Sequence, residues 1–394
     1  MKVLFSIYHW LLSFTGNLFY KNPSKDLFVV GVTGTKGKTT AVSLMVEIFK
    51  KAGKKVDFIS SLSDFSNTMP GRWSIQRFLK QAVNKGCEYV FIEVTSQGVV
   101  QHRHKFIDWD AAVFLNLHPE HIESHGSYEN YREAKLKFFR YLNKSKKSFK
   151  YFFVNKDDSE ASYFIKETEK INNKELTLFS SDDVYKLAQG VKNKKSPDWL
   201  KADFNLVNLA SAVAVAKSRA IKEEVIINAI ENFEGVEGRL QFIQHKPFQV
   251  VVDYAHTPDS LRDFYKNLKP ENSKLICVLG SAGGGRDKWK RFEMGKVAGN
   301  YCDKIILTSE DPYKEDPKRI ITDIKKGLLE TNMEEKNVLE IINRKDALGR
   351  AVSLAEEGDV VVTTGMGSQK YFYGPKGKVD WNEAKILESI LEKK

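Results

Sequence analysis

A run of β-branched residues, a glycine-rich loop and a helical pattern follow one another near the start of the chain. The strand pattern covers residues 27–33, the loop covers 34–38, and the helical pattern runs from Thr39 to the glycine at position 53. A glycine loop between a buried strand and a helix places backbone N–H groups at a helix start, where they can bind phosphate. This order therefore predicts an α/β fold with a phosphate site at the carboxyl edge of a sheet.

The spacing within this loop differs from the common phosphate-loop pattern G-x-x-x-x-G-K-[ST]. Gly37, Lys38 and Thr39 fit the end of that pattern, but Val32 stands where its first glycine belongs. The alternatives are a damaged loop, a chance run of glycines and a different phosphate loop. The Lys-Thr-Thr run favours phosphate binding, because Lys38 can reach the β- and γ-phosphates and the Thr39 hydroxyl can bind Mg²⁺.

The alternation of strand and helix patterns continues and then restarts. Further strand patterns lie at 89–96 and 111–117, and an alanine-rich helical pattern covers 205–221. Four more strand patterns follow after residue 243, at 248–256, 274–285, 303–310 and 359–367. We therefore predict an α/β protein built from two units in succession.

Three parts follow from this pattern. Residues 27–243 are predicted to form a central P-loop-type domain with a mostly parallel sheet, and 244–394 a smaller Rossmann-like α/β domain. Residues 1–26 are predicted to form an apolar helical segment. A membrane span needs about 20 apolar residues, but polar side chains interrupt the stretch 3–20. No A-x-A cleavage site of a signal peptide follows this stretch. We favour a helix packed on the next domain over an interfacial membrane helix.

The composition indicates a basic, mainly solvated surface. The net charge is +11 and the pI about 9.2, and lysines are spread along all 394 residues. Spread charge of this kind indicates mainly a solvated surface and then phosphate ligands, so we predict no nucleic-acid partner. The three cysteines form no C-x-x-C pair, which excludes a zinc ribbon and argues against a disulfide framework. We predict a protein of the reducing cytoplasm.

Two further stretches carry side chains suited to metal or acid–base chemistry. Glu93 ends a buried strand across from the phosphate loop, a position suited to hold Mg²⁺. Residues 116–139 contain three histidines and several glutamates, but the helical H-E-x-x-H spacing is missing and Pro119 indicates a loop. On these residues alone, Glu93 could instead be a solvated strand end, and residues 116–139 could instead form a polar active-site rim.

The shifted loop resembles the ATP loop of a known family. Its pattern G-x-x-G-x-x-G-K-T-T is similar to that of the Mur ligases, ATP-dependent carboxylate–amine ligases that also include folylpolyglutamate synthetase. The resemblance extends over several ordered motifs, from about residue 25 to about residue 370, and implies ATP and Mg²⁺ as cofactors. The loop residues that would bind ATP are Gly34, Thr35, Lys36, Gly37, Lys38, Thr39 and Thr40.

The same resemblance implies a catalytic and metal-binding set. The stretch "IEVTSQGV" is similar to the family's Glu-Val-Ser-Ser-His and supplies Glu93. The histidine-rich stretch is similar to a motif whose histidine binds a second Mg²⁺, which gives that role to His121. A lysine in a similar Ala-Lys pair is carbamylated in the family, and its match is Lys135. The expected catalytic residues are Lys38, Glu93, His121 and Lys135. The expected metal ligands are Thr39, Glu93, His121 and Lys135.

Other motifs resemble the family's nucleotide and substrate contacts. "FNLVNLASAVA", "GVEGRLQ" and "VVDYAHTPDSL" resemble stretches close to ATP. The nucleotide contacts that they imply are Asn208, Arg239, Asp253 and His256. "NTMPG" resembles a loop that touches a muramoyl-peptide, and "GSAGGGRDKWKR" resembles a loop that meets carboxylates. Together with later stretches, the implied substrate-binding residues are Asn67, Thr68, Pro70, Ser96, Arg286, Lys290, Asp311, Tyr313 and Gln369.

Four departures separate this chain from the family pattern. About 26 residues precede the ATP loop, against about 50 or more for the family's uridine-nucleotide domain. Gln97 replaces a histidine, "GMGSQ" replaces Gly-Lys-Gly-His-Glu, and Tyr313 stands at the arginine of the Asp-Asn-Pro-Arg signature. Tyrosine offers no charge to a distal carboxylate, although the neighbouring Lys314 could act as a point charge. We therefore expect L-lysine or another amino acid as the substrate and not meso-diaminopimelate.

The resemblance implies ATP-dependent amide-bond formation through an acyl phosphate. The expected partners are an amino acid and a muramoyl-peptide-like acceptor, either a small molecule or lipid-linked. The expected location is cytoplasmic, with peripheral contact of residues 3–20 with the inner face of the membrane as the sharper alternative. Two rival functions stay open: a folylpolyglutamate- or polyglutamate-type ligase, and a non-catalytic nucleotide-binding protein.

Overall fold

The computed structural model describes residues 2–65 and 67–393, and it divides the chain into two compact units. The first unit comprises Met1–Pro119, His125–Leu200 and Phe204–Phe233. The second unit comprises Glu120–Ser124, Lys201–Asp203 and Glu234–Lys394. Apart from two short segments, the chain thus passes from the first unit to the second after Phe233, whereas the sequence predicted a boundary near residue 243. That domain boundary stays a prediction.

A parallel sheet forms the centre of the first unit. Its six strands within the described residues are β1 (Phe28–Thr33), β2 (Val56–Ile59), β3 (Tyr89–Glu93), β4 (Ala111–Phe114), β5 (Lys150–Asn155) and β6 (Lys174–Phe179). Their order is β2-β3-β1-β4-β5-β6, and every neighbouring pair is parallel. In a parallel sheet the carboxyl ends of all strands meet at one edge. The strand carrying the glycine loop lies near the middle of this edge.

Ten helices precede the second sheet along the described chain. They are α1 (Lys2–Phe19), α2 (Lys38–Lys51), α3 (Arg72–Asn84), α4 (Ser96–Val100), α5 (Ile122–His125), α6 (Tyr128–Tyr141), α7 (Ala161–Glu169), α8 (Asp182–Lys195), α9 (Phe204–Ser218) and α10 (Glu223–Asn232). Helix α2 follows the glycine loop, and its apolar residues Val42, Met45 and Phe49 are buried. Helix α1 packs on α3. No described helix is long and apolar enough to cross a membrane.

Gly31 explains why the loop spacing looks unusual. A Cβ atom at this position of β1 would lie 2.2 Å from the Phe138 ring and 2.9 Å from the Trp109 ring, both of which are buried. Burial of each such aromatic side chain contributes about 1.5–3 kcal/mol. Gly31 therefore serves the close packing of α6 on the sheet, and the phosphate loop begins only at Gly34.

The second unit contains a mixed sheet and a hairpin. Within the described residues its sheet strands are β7 (Gln241–Gln244), β8 (Gln249–Val252), β9 (Leu275–Leu279), β10 (Lys304–Leu307), β11 (Val338–Glu340) and β12 (Val360–Thr363). Their order is β11-β10-β9-β12-β8-β7, and all pairs are parallel except β7 with β8. The antiparallel hairpin consists of β13 (Tyr371–Gly374) and β14 (Gly377–Asp380). The helices of this unit are α11 (Pro258–Leu268), α12 (Trp289–Tyr301), α13 (Pro317–Leu328), α14 (Arg344–Leu354) and α15 (Glu383–Leu391).

A disulfide in the second unit corrects the expectation drawn from cysteine spacing. Cys277 in β9 is bonded to Cys302, and their Cα atoms are 6.1 Å apart. The two cysteines are 25 positions apart in sequence. They meet because Cys302 follows α12 and directly precedes β10, the neighbour of β9 in the sheet. Such a contact depends on strand order, which cysteine spacing alone does not reveal.

Candidate active site

The glycine loop lies at the carboxyl edge of the first sheet, where Asn116 fixes its shape. The Asn116 side-chain oxygen accepts hydrogen bonds from the backbone N–H groups of Thr35 (3.1 Å) and Lys36 (2.9 Å). Its amide group donates to the Lys36 carbonyl at 3.2 Å. Asn116 was missed as a site residue, although its position near the end of the strand pattern 111–117 was a usable signal. A loop held in this way is preorganised for a ligand.

Two lysine ammonium groups converge on the carbonyl groups of this loop. Lys38 Nζ donates to the carbonyls of Gly34 and Thr35, each at 2.8 Å. Lys135 Nζ, on α6, donates to the Gly34 carbonyl at 2.8 Å, and only 1% of this lysine is exposed. The structure thus brings both predicted catalytic lysines to one loop. The charge of the Lys38 ammonium suits the binding of a triphosphate.

Thr39, Ser61 and Glu93 form an oxygen-rich corner beside the loop. Thr39 Oγ1 and Ser61 Oγ are 2.8 Å apart, and the Ser61 N–H donates to Glu93 Oε1 at 2.9 Å. Hydroxyl and carboxylate oxygens are the ligands that Mg²⁺ prefers, so these residues fit the predicted metal ion. Sequence reasoning missed Ser61. Its position directly after β2, at the same sheet edge, was the available signal.

The protein's share of a magnesium site is small. The part of the chain that the structure describes contains no cluster of three or more His, Cys, Asp or Glu side chains suited to a metal ion. Mg²⁺ commonly takes only one or two carboxylates and completes its shell with water and phosphate oxygens. Thr39 and Glu93 fit that share. Lys135 is an ammonium group here, so it fits a metal only after conversion to a carbamate.

The histidine-rich stretch does not gather into one cluster. The His118 backbone N–H donates to Thr35 Oγ1 at 2.9 Å, while His125 Nε2 lies 3.1 Å from the Ser96 hydroxyl. His121, with a left-handed φ of 56°, belongs to the short segment grouped with the second unit. The structure therefore brings Thr39 and Glu93 together in the first unit, whereas His121 belongs to the second unit. The metal role of His121 stays a prediction.

Asn208 on α9 lies against the start of α2. Gly37 is the N-cap of α2 with φ of 80°, and a Cβ atom there would lie 2.0 Å from Asn208 Oδ1. The Asn208 amide donates to Asn205 Oδ1 at 2.9 Å, and Asn205 donates to the Trp199 carbonyl at 2.7 Å. This chain of amides holds Asn208 beside the phosphate loop, which agrees with its predicted place near the nucleotide.

The predicted acceptor loop, residues 67–71, precedes α3 and lies against α4. Met69 is buried, and a Cβ atom at Gly98 would lie 2.4 Å from its sulfur. The Arg103 guanidinium donates to the Met69 carbonyl. Asn67 is exposed, and the neighbouring Pro70 is buried. Met69 therefore anchors this loop, and the acceptor contacts of Asn67, Thr68 and Pro70 stay predictions.

In the second unit, Arg239 lies beside an aromatic ring, and Asp253 binds backbone N–H groups. The Arg239 guanidinium lies 4.1 Å from the centroid of the Tyr254 ring. The two carboxylate oxygens of Asp253 accept hydrogen bonds from the N–H groups of Leu240 and Ala255, each at 2.7 Å. Burial raises the pKa of Asp253, and the positive charge of Arg239 partly opposes this. Asp253 thus has a structural role beside its predicted nucleotide contact.

His256 and Lys290 meet at a buried glutamate. His256 Nε2 lies 2.9 Å from Glu120 Oε1, and Lys290 Nζ donates to the His256 carbonyl at 3.0 Å. Burial opposes the charge of Glu120, but the hydrogen bond with His256 and nearby positive groups hold the pKa of Glu120 well below its usual value. Burial lowers the pKa of Lys290. Glu120 was not among the predicted site residues, because its partner is distant in sequence.

Asp311 and Tyr313 form a polar corner with the hairpin β13–β14. Asp311 Oδ1 accepts a hydrogen bond from the Tyr373 N–H at 2.8 Å, and burial raises the pKa of Asp311 to about 6. Tyr313 stacks on Tyr373 with ring centroids 5.2 Å apart, and Arg286 interacts with the Tyr313 side chain. The Gln369 N–H donates to the Met366 carbonyl at 2.9 Å.

An open cleft of about 840 Å³ adjoins this corner. Its lining residues are Gly284, Gly285, Lys288, Tyr313, Lys314, Glu315, Arg319, Thr322, Asp323 and Lys326. Of the residues predicted to contact substrate, only Tyr313 lines it. The substrate roles of Asp311, Tyr313, Arg286, Lys290 and Gln369 stay predictions.

Comparison with known proteins agrees with this geometry. Residues 32–229 match the Mur ligase middle domain, and residues 238–367 match the Mur ligase glutamate ligase domain. The chain belongs to the Mur ligase family. Among curated Mur ligases, the UDP-N-acetylmuramoyl-L-alanyl-D-glutamate–2,6-diaminopimelate ligase of Caldanaerobacter subterraneus is 33% identical over 398 residues, covering 95% of this chain and 80% of that protein. The enzyme of the same name from Bacteroides thetaiotaomicron is 33% identical over 393 residues, with the same two coverages.

Solved structures show the same Mur ligase fold. The structure of a UDP-N-acetylmuramoyl-L-alanyl-D-glutamate–2,6-diaminopimelate ligase aligns with a TM-score of 0.58 at 26% identity, over 93% of this chain and 78% of that one. Folylpolyglutamate synthase from Mycobacterium tuberculosis aligns with a TM-score of 0.70 at 13% identity, over 90% and 92% of the two chains. At that identity the second likeness shows the fold alone. The predicted family and α/β fold are confirmed.

Proposed function

We propose that this chain is an ADP-forming ligase that joins an amino acid to a carboxylate through an acyl phosphate. The observation that carries the proposal is the convergence of Lys38 and Lys135 on one glycine loop, each 2.8 Å from its carbonyls. The oxygens of Thr39 and Glu93 lie beside that loop. Membership in the Mur ligase family supports ATP as the source of energy.

The first chemical step transfers the γ-phosphoryl group of ATP to the acceptor carboxylate and releases ADP. Backbone N–H groups of the loop bind the phosphates, and the Lys38 ammonium stabilises the charge on the transferred group. Magnesium, when bound at Thr39 and Glu93, supplies further positive charge to the phosphates. The amine of the amino acid then attacks the acyl carbon. Inorganic phosphate leaves, the amine loses a proton, and the amide bond remains.

Lys135 is proposed to act as a carbamate in the working enzyme. Its ammonium group is 1% exposed and donates to the Gly34 carbonyl of the phosphate loop at 2.8 Å, so a modified side chain would lie at that loop. Addition of CO₂ to the neutral amine, with loss of one proton, gives a carboxylate-like group suited to Mg²⁺. His121 is proposed as a further metal ligand by resemblance.

The acceptor is proposed to be a muramoyl-peptide and the amine an amino acid. Both proposals are supported by relatives whose names state UDP-N-acetylmuramoyl-L-alanyl-D-glutamate and 2,6-diaminopimelate as substrates. Tyr313 favours a different amino acid for this chain. Its ring is uncharged and stacks on Tyr373, so it offers no ion pair to a distal carboxylate. L-lysine is therefore preferred over meso-diaminopimelate.

The proposed location is the cytoplasm, with residues 3–20 in peripheral contact with the inner face of the membrane. A lipid-linked muramoyl-peptide would suit such a location. A folylpolyglutamate-type activity has less support, because the likeness to folylpolyglutamate synthase is one of fold at 13% identity. A non-catalytic function is disfavoured by the two lysines at the loop.

An acceptor and amine screen tests this function. The purified chain is incubated with ATP, Mg²⁺, a muramoyl-dipeptide in UDP-linked or lipid-linked form, and either L-lysine or meso-diaminopimelate. We expect ADP release that requires both acceptor and amine, with the amide product detected by mass spectrometry and faster with lysine. Lys38→Ala should fold normally and lose at least about 100-fold in turnover. Equal turnover by Lys38→Ala would contradict the proposal, and faster addition of meso-diaminopimelate would contradict the role of Tyr313.

A further inference from the structure

Helix α1 turns its small and polar side chains toward the protein. Ser13 is 1% exposed, and its hydroxyl donates to the His102 carbonyl at 2.8 Å. The Ser6 hydroxyl lies 2.8 Å from His102 Nε2, and the Asn17 amide donates to the Phe106 carbonyl at 2.8 Å. These contacts recur at helical spacing, so one polar stripe of α1 fixes the helix on the first unit.

The opposite face of α1 is apolar and faces away from the protein. Leu4 is 72% exposed, Leu18 67% and Phe19 65%. The apolar face of α1 comprises the large side chains with substantial exposure: Leu4, Phe5, Ile7, Tyr8, Trp10, Leu11, Phe14, Leu18 and Phe19. Trp10 and Phe14 lie at the edge of this face, where their rings also contact Phe106 of the first unit. A helix that only covers a domain places its apolar stripe inward and its polar stripe outward. Helix α1 has the reverse arrangement, and exposed apolar patches of this size mark interaction surfaces.

The charges around this face favour an anionic partner. Residues 2–25 contain no aspartate or glutamate, and lysines lie near both ends of the helix. Lys21 and Lys25 are exposed. Phenylalanine, tyrosine and tryptophan are typical of helices that lie in the plane of a bilayer surface, flanked by lysines that meet lipid phosphates. The helix is also not suited to cross a membrane.

The position of α1 connects this face with the acceptor loop. Gly16 packs on the first turn of α3, and a Cβ atom there would lie 3.3 Å from the Trp73 ring. Trp73 also contacts Phe19, with ring centroids 5.1 Å apart, and is itself partly exposed. Helix α3 begins at Arg72, directly after the 67–71 loop. Any surface that binds the apolar face of α1 therefore lies near loop 67–71, which is proposed to contact the acceptor.

We propose that the apolar face of α1, extended by Trp73, is a docking surface for a bilayer that contains anionic lipid. The helix lies in the interface plane, with its apolar side chains among the acyl chains and its lysines at the phosphates. The docked enzyme presents loop 67–71 to an acceptor that is anchored in the same bilayer. The presentation of loop 67–71 to an anchored acceptor rests on the proposed ligase function, whereas the docking of α1 on the bilayer does not.

Vesicle co-sedimentation of the full chain tests the docking. We expect the chain to sediment with phosphatidylcholine vesicles that contain phosphatidylglycerol, and much less with phosphatidylcholine alone. The variant Leu4→Ser/Leu11→Ser/Leu18→Ser removes three outward side chains, which are 72%, 47% and 67% exposed. Its partitioning onto the anionic vesicles should fall at least about tenfold.

A matched control separates the helix from general surface hydrophobicity. The variant Leu329→Ser/Val379→Ser/Tyr185→Ser changes three side chains that are also exposed, but away from α1. It should bind vesicles like the unchanged chain. Vesicle binding that is equal in both variants, or absent in the unchanged chain, would overturn the proposal. A dimer that dissociates only in the α1 variant, without vesicle binding, would assign the face to a second copy of this chain.

The activity readout keeps docking and catalysis apart. ATP turnover with a UDP-linked soluble acceptor should be the same in the α1 variant and in the unchanged chain, because these side chains lie outside the ATP site. With a lipid-linked acceptor in vesicles, the α1 variant should show a raised KM and an unchanged kcat. Loss of turnover in all proteins with every acceptor would contradict the ligase function while leaving docking to be judged by sedimentation.

Discussion

Lys135 shows how one residue combines a fold requirement with a functional one. It lies on α6 among buried neighbours, and its ammonium group donates to the Gly34 carbonyl and lies 4.8 Å from the centroid of the Tyr131 ring. Burial of a lysine costs free energy unless its charge is compensated or removed. A carbamate at this position would place a carboxylate at the phosphate loop, beside the Gly34 carbonyl, and carboxylates are ligands that Mg²⁺ prefers.

Replacement of Lys135 tests that role. Lys135→Ala should lower ATP turnover at least about 100-fold, because the metal loses a ligand and the loop loses a contact. Acetate or propionate at millimolar concentration should restore part of the turnover. Lys137→Ala, an exposed lysine on the same helix, is the control and should keep full activity. Near-normal turnover in Lys135→Ala, measured by ADP release, would contradict the carbamate role.

Much of the candidate site could be predicted from residue identities in the sequence, but some contacts between its residues could not. Lys38 and Thr39 could be predicted because their roles follow from one local motif. The contacts of Ser61, Asn116 and Glu120 could not be predicted, because each acts through a partner that is brought close only by the fold. Asn116 reaches the loop because β4 is the neighbour of β1, and strand order is not encoded in motif spacing.

Helix α2 is bounded by two glycines with similar backbone conformations. Gly37 at its start has φ of 80°, and Gly53 after its end has φ of 75°. A Cβ atom at Gly37 would lie 2.0 Å from Asn208 Oδ1, whereas one at Gly53 would meet no atom within 4 Å. The same substitution at the two positions therefore separates backbone strain from a clash at the phosphate loop.

We expect both Gly37→Ala and Gly53→Ala to lose about 1–2 kcal/mol of unfolding free energy from the left-handed conformation. Gly37→Ala should lose more, and it alone should weaken ATP binding, because it displaces Asn208 or the loop. Urea denaturation and calorimetric titration with ATP measure the two effects. Asn208→Ala in the Gly37→Ala background should recover part of the stability. Equal stability and equal ATP affinity in the two single variants would contradict the proposed contact.

Elements with strong local patterns were predicted from the sequence, and those set by distant contacts were not. The strand β1 and the helix α2 follow from a β-branched run and from apolar residues at helical spacing. The hairpin β13–β14 was not predicted, because its strands are short and largely exposed. The orientation of α1 was also beyond the sequence, since its polar stripe is satisfied by groups about 90 positions away.

At the scale of the whole molecule, two α/β units carry the motifs of one family in a fixed order. The first unit holds the phosphate loop with its lysines and oxygen ligands. The second holds Arg239, Asp253, His256 and the Asp311–Tyr313 corner. Asp253, His256 and the Asp311–Tyr313 corner follow strand ends, whereas Arg239 precedes β7. The amino acid and the form of the acceptor depend on departures such as Tyr313, and for these the screen with lysine and meso-diaminopimelate is required.

The central claim is that this chain activates a carboxylate as an acyl phosphate. It is tested most directly with a muramoyl-dipeptide acceptor whose reacting carboxylate carries ¹⁸O at both oxygens. One carboxylate oxygen becomes the bridge of the acyl phosphate, and attack of the amine leaves that oxygen on phosphate. We expect one ¹⁸O in the inorganic phosphate for each amide formed, read by mass spectrometry, and none in the absence of the amino acid. Amide formation with unlabelled phosphate would contradict the acyl phosphate, and ATP hydrolysis without any amide would contradict the ligase function.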